Sequence, residues 1–496
     1  MAPGVKRHGQ VDPQVLKTGM NKTPTLRLGL VGLGLDTYWA QFPTLRDKLV
    51  GYQARIRSRL EAEYGAVVVD AGLADSPDKA LAAAEQFASE RVDLVLMYVS
   101  TYSLSSTVLP IAQRCGAPIV VLNLQPAPAM DYAAFNAIGD RGIMTGEWLG
   151  WCQACSLPEI ACVFKRSRTV FRPVSGWLDD PVAWRELGGW LTAARVKKGM
   201  RDNRVGVLGH YYGGMLDVYS DLTQHASVFG CHFEMLEMDE LAAIRAKLDV
   251  TAVSQARATL ESTFAIEAAC GENELDRAAR TAAALLELVR RHRLGSMAYY
   301  HEGVAGDAGQ DVVTSIIPGN TLLTANGVPV AGEYEVKNVQ AMKILDLAGC
   351  GGSFSEFYAT DFTDDVVLLG HDGPGHAAIA QDKVKLVPLR VYHGKPGQGL
   401  SIEMQVRQGP ATLLSVVQDG EGKLSLLVAE GEAVPGPTLA IGNTNSRYRF
   451  PLGARRFLDA WSSAGPAHHC AIGTGHQAHW LAKLADLLGI ACTRVC

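Results

Sequence analysis

The sequence has no apolar run approaching the roughly 20 residues of a bilayer-spanning helix; runs such as Val92–Val99 stop far short. Neither sign of charge is in large excess. Lys and Arg total 46 against 51 Asp and Glu, for a net charge of −5, which leaves no bulk field to favour nucleic acid or an anionic membrane. The apolar stretch of a signal peptide is missing as well. Met1–Thr25 is polar and carries Lys6, Arg7, His8, Lys17 and Lys22, so it reads as a flexible or partner-contacting arm of a cytoplasmic protein. Ten cysteines in 496 residues are too few for a disulfide framework. Cys152 and Cys155 form a CxxC near Cys162, but no second CxxC completes a zinc site. Buried free thiols are expected, with a redox pair as the alternative. No internal repeat at a fixed period is visible.

What is present is an ordinary globular composition, 48% apolar and 20% charged, long enough for about three domains. Leu26–Gly34, Ala66–Ala71, Asp93–Val99 and Pro118–Leu124 are short apolar strands. Between them, Arg46–Glu63, Ser76–Arg91 and Ser106–Cys115 have helical spacing. That alternation predicts βαβ units and a parallel sheet covered on both faces. Pro173–Asp180 and Lys197–Arg204, rich in turn formers and charge, read as a break. The basic runs Lys165–Arg168 and Lys197–Arg204 read as solvated faces or subunit contacts, with phosphate binding as the alternative. A second α/β series follows, with a strand at Val205–Gly209, a helix at Glu274–Leu294 and a strand at Ser296–Tyr300. The last third alternates differently. Lys385–Tyr392, Leu400–Val406, Ala411–Gln418 and Leu424–Ala429 predict antiparallel strands, the last two joined by an Asp419–Gly422 hairpin turn. Gly465–His479 reads as a Gly/His-rich turn before a closing helix, His479–Leu488.

Two constellations carry chemistry. Gly32-x-Gly34 follows the first strand, but Thr37 stands where a dinucleotide fingerprint wants its third glycine. A tight strand-to-helix turn is the expectation there, and NAD binding the alternative. The second set is Glu333 in AGEYEVK, Glu356 in GGSFSEFY, His371 in LLGHDGPGH and His469 in AHHCAIGTGH. These residues cannot share one helix face, yet they can meet at the ends of neighbouring strands. Two carboxylates and two imidazoles make a hard-to-borderline divalent site that suits Mn²⁺, with Co²⁺ or Mg²⁺ as substitutes.

The runs Gly332–Lys337 (GEYEVK), Gly351–Tyr358 (GGSFSEFY), the LLGH ending at His371 and the AHH at Ala467–His469 resemble, in order and approximate spacing, segments of L-arabinose isomerase, within a wider superfamily that includes L-fucose isomerase. The resemblance spans Leu26 to the C-terminus. It implies two Rossmann- or flavodoxin-like parallel-sheet domains and a C-terminal antiparallel β-barrel. With the break above, this places an arm at 1–25, α/β domains at 26–200 and 201–345, and a barrel domain at 346–496. It further implies a homo-oligomer, trimer or hexamer, with pockets where subunits meet. It assigns the metal ligands to Glu333, Glu356, His371 and His469, with His468 as the alternative for the last.

Three departures fall at or near the pocket. The family's GEGD is GEYE here, with Tyr334 and Glu335. Asp372–His376 follows His371 in place of an apolar run. A family histidine that reaches a neighbouring subunit is absent from Phe135–Gly146, where Asp140 and Arg141 stand. Retained chemistry on a changed substrate is the expectation.

That chemistry is aldose–ketose isomerisation through a cis-enediol. Glu333 and Glu356 share acid and base work, and the metal stabilises the developing enediolate. His376 or Asp372 is a candidate to orient His371, with a tight turn as the plainer reading. Asp36, Tyr38, Trp39, Gln125, Tyr300 and His376 are candidate substrate contacts, several at strand ends where α/β sheets bind ligands. The rival readings are an isomerase or epimerase of a non-arabinose sugar or polyol, a non-catalytic sugar-binding protein, and a nicotinamide-dependent oxidoreductase.

Overall fold

The computed structural model describes residues 24–302, 306–389 and 398–496. The arm expected at residues 1–25 lies, except for its last two positions, outside them. The described chain forms two compact units, Pro24–Lys198 and Gly199–Cys496.

In the first unit, β1 (Arg27–Leu33), β2 (Val67–Ala74), β3 (Leu94–Val99), β4 (Ile119–Gln125) and β5 (Phe171–Trp177) form one parallel sheet in the order β2-β1-β3-β4-β5. That is the order of flavodoxin-like doubly wound sheets. Every residue of β3 and all but the first of β1 are buried, as a sheet covered on both faces requires. The break expected after residue 172 is corrected: β5 and the helix Pro181–Arg201 occupy it. β5 is the edge strand, where Pro173 can be accommodated despite its missing N–H. The basic runs sit at helix ends. Lys165 and Arg166 close the helix Gln153–Arg166, where cations suit the carbonyl end, and Lys198 pairs with Asp93 at 2.8 Å. The free-thiol expectation for the CxxC is also corrected. Cys152 at the N-cap of Gln153–Arg166 is disulfide-bonded to Cys155, their Cα atoms 5.4 Å apart. One helical turn brings the two within ordinary disulfide reach. Cys162 is an exposed free thiol.

The second unit holds β6 (Arg204–Gly209), β7 (His232–Leu236), β8 (Ala265–Ile266), β9 (Ser296–Tyr300) and β10 (Val330–Ala331). Further on come β11 (Gly351–Asp361), β12 (Val366–His371), β13 (Lys385–Leu389), β14 (Gly399–Glu403) and β15 (Gly409–Gln418). The chain closes with β16 (Leu424–Val434), β17 (Thr444–Arg449), β18 (His469–Thr474) and β19 (Ala491–Arg494). A parallel sheet runs β10-β9-β6-β7. The larger sheet is mostly antiparallel, β15-β18-β11-β12-β17-β16-β19, and β15 also pairs with β16. The Asp419–Gly422 hairpin turn joins those two strands.

Two expectations change here. β13 and β14 do not join β15 and β16 but form a separate small sheet with β8. The Gly/His-rich segment is not all turn, since His469–Thr474 is β18. The glycines of β11 have a packing reason: a Cβ on Gly352 would stand 2.5 Å from the Met342 carbonyl oxygen, so the strand can lie against the helix Val336–Leu347 only without one.

Candidate metal centre

The antiparallel register explains how distant residues meet. Glu356 on β11 faces His469 across one ladder and Gly370 across the other, one residue before His371. Direct cross-strand neighbours have Cβ atoms about 5 Å apart, and ligand atoms of Glu356, His371 and His469 all lie within 4.8 Å of one another. Gly370 has no alternative, because a Cβ there would stand 1.8 Å from the Thr444 carbonyl oxygen. Thr444 Oγ1 accepts the His371 N–H at 2.9 Å and holds the end of β12 in place.

Glu333 comes from the parallel sheet. It follows β10 and Gly332, and both Glu333 and Tyr334 adopt left-handed backbone, with φ of 56° and 59°. Two consecutive non-glycine residues there are strained. The turn is held by the Tyr334 N–H donating to Tyr299 O and the Glu335 N–H donating to Gly332 O, each at 3.0 Å. The Tyr334 ring is buried against Tyr211, centroids 4.7 Å apart. As a result the Glu333 carboxylate stands 3.8 Å from His371 Nε2, 3.4 Å from His469 Nε2 and 3.5 Å from His468 Nε2. Glu333, His468 and His469 form a second group of potential ligands within 4.8 Å.

Each imidazole of the adjacent pair has a carboxylate behind it. His469, 1% exposed, places Nδ1 2.5 Å from Glu335 Oε2. Among the described residues its buried Nε2 has no hydrogen-bond partner. A proton on Nδ1 toward Glu335 leaves the Nε2 lone pair directed at the site, which is how ligating histidines are oriented. His468 Nδ1 lies 2.6 Å from Asp217 Oδ2, which also accepts the His468 N–H at 3.0 Å. Burial lowers the His468 pKa, but bonds to Glu333 and Asp217 outweigh it and raise it to about 9. Burial acts to raise the Asp217 pKa, yet the His468 contacts bring it below the usual carboxylate range. Oxygen and imidazole donors around an unsatisfied nitrogen fit a divalent cation of the Mn²⁺ type.

The candidate substrate contacts are dispersed. Tyr300 ends β9, its ring 4.6 Å from Tyr212 and 5.3 Å from His210. His376 is buried, and among the described residues its ring nitrogens make no hydrogen bond. The expectation that it orients His371 through a hydrogen bond is therefore corrected, and Asp372 lies 3.4 Å from Ser401 Oγ. Asp36, Tyr38, Trp39 and Gln125 belong to the first unit. Asp36 is exposed at the start of the helix Thr37–Gln41, while Tyr38 and Trp39 pack onto Leu45, Leu49, Leu149 and Cys152. Gln125 donates to Ala127 O and Pro128 O. Trp39 lies against Gly34, 3.2 Å from where a Cβ would be, which supports the tight-turn reading of Gly32-x-Gly34. Asp140 caps the helix Arg141–Leu149 by accepting the Ile143 N–H at 2.8 Å. Sequence reading missed Asp217 altogether and took Glu335 only as a departure. The second acid in GEYE, adjoining a buried helix, was the available signal for Glu335.

Residues 351–491 match the L-arabinose isomerase C-terminal domain family. The chain is 23% identical over 479 residues to an L-arabinose isomerase of Nocardioides sp. (strain ATCC BAA-499 / JS614), covering 90% of this chain and 89% of that protein. Among solved structures, a XylFII molecule aligns at 13% identity over 62% of this chain and 97% of its own, with a TM-score of 0.14. GanP, a glucose-galactose binding protein from Geobacillus stearothermophilus, aligns at 15% over 66% and 92%, with a TM-score of 0.15. At such scores neither carries an argument. The likeness is to a family over residues 351–491, the stretch that holds Glu356, His371 and His469, and to one L-arabinose isomerase along most of the chain.

Proposed function

We propose that the protein is a metal-dependent aldose–ketose isomerase. The observation that carries the reading is that two groups of potential ligands, Glu356–His371–His469 and Glu333–His468–His469, share His469, with Glu333 also 3.8 Å from His371. Glu333, Glu356, His371 and His469 would hold a divalent cation, Mn²⁺ being the best match to the donors, with His468 adjoining. A bound cation supplies Lewis-acid stabilisation of negative charge on the substrate oxygens.

The protein's own groups do the rest. Glu333 and Glu356 approach the site from different sheets, so one can take the proton from carbon while the other serves the adjacent oxygen, giving the cis-enediol. Glu335 fixes the His469 tautomer, and Asp217 orients His468. The Tyr334 ring, where the family has glycine, packs on Tyr211 next to Glu333. That change favours a sugar or polyol derivative other than arabinose. The strand circuit β15-β18-β11-β12-β17-β16-β15 supports the β-barrel reading of the C-terminal region. Exposed Tyr132, Ile143 and Trp148 support homo-oligomerisation through the first unit.

The test is turnover on a panel of aldoses, ketoses and inososes with Mn²⁺ added. Glu333→Gln and Glu356→Gln should each lower kcat at least about 10²-fold at saturating Mn²⁺. Wild-type-like turnover in either variant removes that residue from the mechanism. Binding without turnover across the whole panel would leave only the non-catalytic, sugar-binding reading.

A further inference from the structure

Little of the local structure depends on the Cys152–Cys155 bond. The other cysteines are free thiols, so the chain is not built on cross-links. A bond with a sequence separation of 3 closes so small a loop that it constrains the unfolded chain little, and disulfides stabilise mainly through that constraint. Other contacts hold the turn it spans. Gln153 Nε2 donates to Ser100 O at 2.8 Å and to Gly150 O at 2.9 Å, and Ser156 Oγ accepts the Ser103 N–H at 2.7 Å. Gln153 and Ser156 are both fully buried. Reduction would remove the cross-link and leave these anchors in place.

The two sulfurs differ in access. Cys155 is exposed, whereas Cys152 is 1% exposed and packs with Leu45, Leu49 and Leu149. Cys152 is the N-cap of the helix Gln153–Arg166 and Cys155 its third residue, so both lie at the positive end of the helix, where a developing thiolate is stabilised. Pro158 lies inside that helix and has no N–H for the Ala154 carbonyl. The first turn, which carries Cys155, is thus tied to the next by one bond fewer. Cys162, further along, is exposed and free. Its seven-residue separation from Cys155 is about 10.5 Å of helix, whereas a disulfide needs Cα atoms within about 7 Å. Of the two exposed sulfurs on this helix, Cys155 has a partner one turn away, and Cys162 lies beyond its reach.

From this geometry we infer that Cys155 and Cys152 are a reversible dithiol–disulfide couple: Cys155 exchanges with low-molecular-weight thiols and disulfides of the glutathione class, and Cys152 resolves the product. In the oxidising direction the Cys155 thiolate attacks a disulfide RSSR, forming a Cys155–SR bond and releasing RS⁻. The Cys152 thiolate then attacks Cys155 Sγ, closes the protein disulfide and expels the second RS⁻. The two cysteine protons pass to the released thiolates, so the pair gives up two electrons and RSSR takes them up as two RSH. In the reducing direction the entering thiolate meets Cys155 Sγ, the exposed sulfur, and Cys152 leaves. Both sulfurs belong to the first unit and the candidate metal ligands to the second, so the couple stands whether or not the protein is an isomerase.

Thiol alkylation and peptide fragmentation of the full-length protein test this. Dithiothreitol without denaturant should free both sulfurs while the far-UV circular dichroism stays unchanged. Oxidised glutathione added to the reduced protein should then restore the Cys152–Cys155 disulfide with no glutathione left on Cys155, while Cys162 keeps one. Cys152→Ser removes the resolving sulfur, so Cys155 should now keep one glutathione as Cys162 does. Glutathione retained on Cys155 in the wild type, or reduction only after denaturation, overturns the inference, and neither readout depends on the variant folding. A folded Cys152→Ser protein whose Cys155 takes up no glutathione overturns it as well.

Discussion

Glu335 and His469, 134 positions apart, meet at 2.5 Å in a site where neither is more than 1% exposed. The carboxylate fixes which imidazole nitrogen carries the proton, and with it the direction of the other lone pair. Removing such a partner from a ligating histidine typically costs 10–100-fold in metal affinity. Glu335→Gln should therefore weaken Mn²⁺ binding by about tenfold or more, read by calorimetry. An unchanged affinity would show that Glu335 is only a core acid.

Chelation gives a second expectation. A ligand that binds only the folded state stabilises it by about 2.7 kcal/mol when present at 100 times its Kd. EDTA treatment should lower the Tm, and Mn²⁺ restoration should recover it. Glu356→Gln and His371→Ala should both shrink the Mn²⁺-dependent shift. A shift of full size in the His371→Ala protein would place the ion elsewhere.

Tyr334 reverses the usual order of glycine and alanine. A side chain in left-handed backbone costs about 1–2 kcal/mol, and Tyr334 sits at φ 59° with its ring buried on Tyr211. Truncation should destabilise by roughly 3–5 kcal/mol for the lost aromatic. Yet Tyr334→Gly should exceed Tyr334→Ala in stability by about 1 kcal/mol, because glycine alone escapes the φ penalty. Denaturant unfolding of the two variants decides it, and alanine the more stable would mean the turn relaxes.

Asp311 makes a pH-dependent tie between helices. Its carboxylate contacts Arg277 Nε at 2.6 Å and also Arg245. Burial acts to raise its pKa, but the two guanidinium groups bring it below the usual value. A carboxylate with a depressed folded-state pKa adds stability that is present above its unfolded value, near 3.8, and is lost as pH falls through the folded value. At 39% side-chain exposure the contribution is screened to about 1 kcal/mol. Asp311→Asn should cost about that much at pH 7 and almost nothing at strongly acid pH. An equal loss at both would point to packing instead.

Much of the first unit was legible, because its signals are local. β1, β3 and β4 are short apolar runs between helices of regular period, and among the strands of that unit only β5 was hidden, by Pro173 and Gly176 on an edge strand. The site was legible as residue types but not as geometry. β11 was given no strand assignment, since Gly351 and Gly352 open it, although their role is close packing. β18 hid inside a Gly/His-rich stretch for the same reason: small residues serve both turns and crowded strands. Asp217 gave no local signal at all, since its bond to His468 spans 251 positions.

The sequence by itself determined which groups are available. Two glutamates and two histidines, with His468 beside the second, supply the donor types of a divalent site, because donor type follows from residue type alone. Only the tertiary structure decided the directions: that Glu356 faces His469 across one strand ladder, that a left-handed turn carries Glu333 to the same point, and that Glu335 and Asp217 stand behind the imidazoles. Hydrogen bonds and coordination fall off within a fraction of an ångström and a few tens of degrees. What places those atoms is strand register and buried backbone, which join residues hundreds of positions apart.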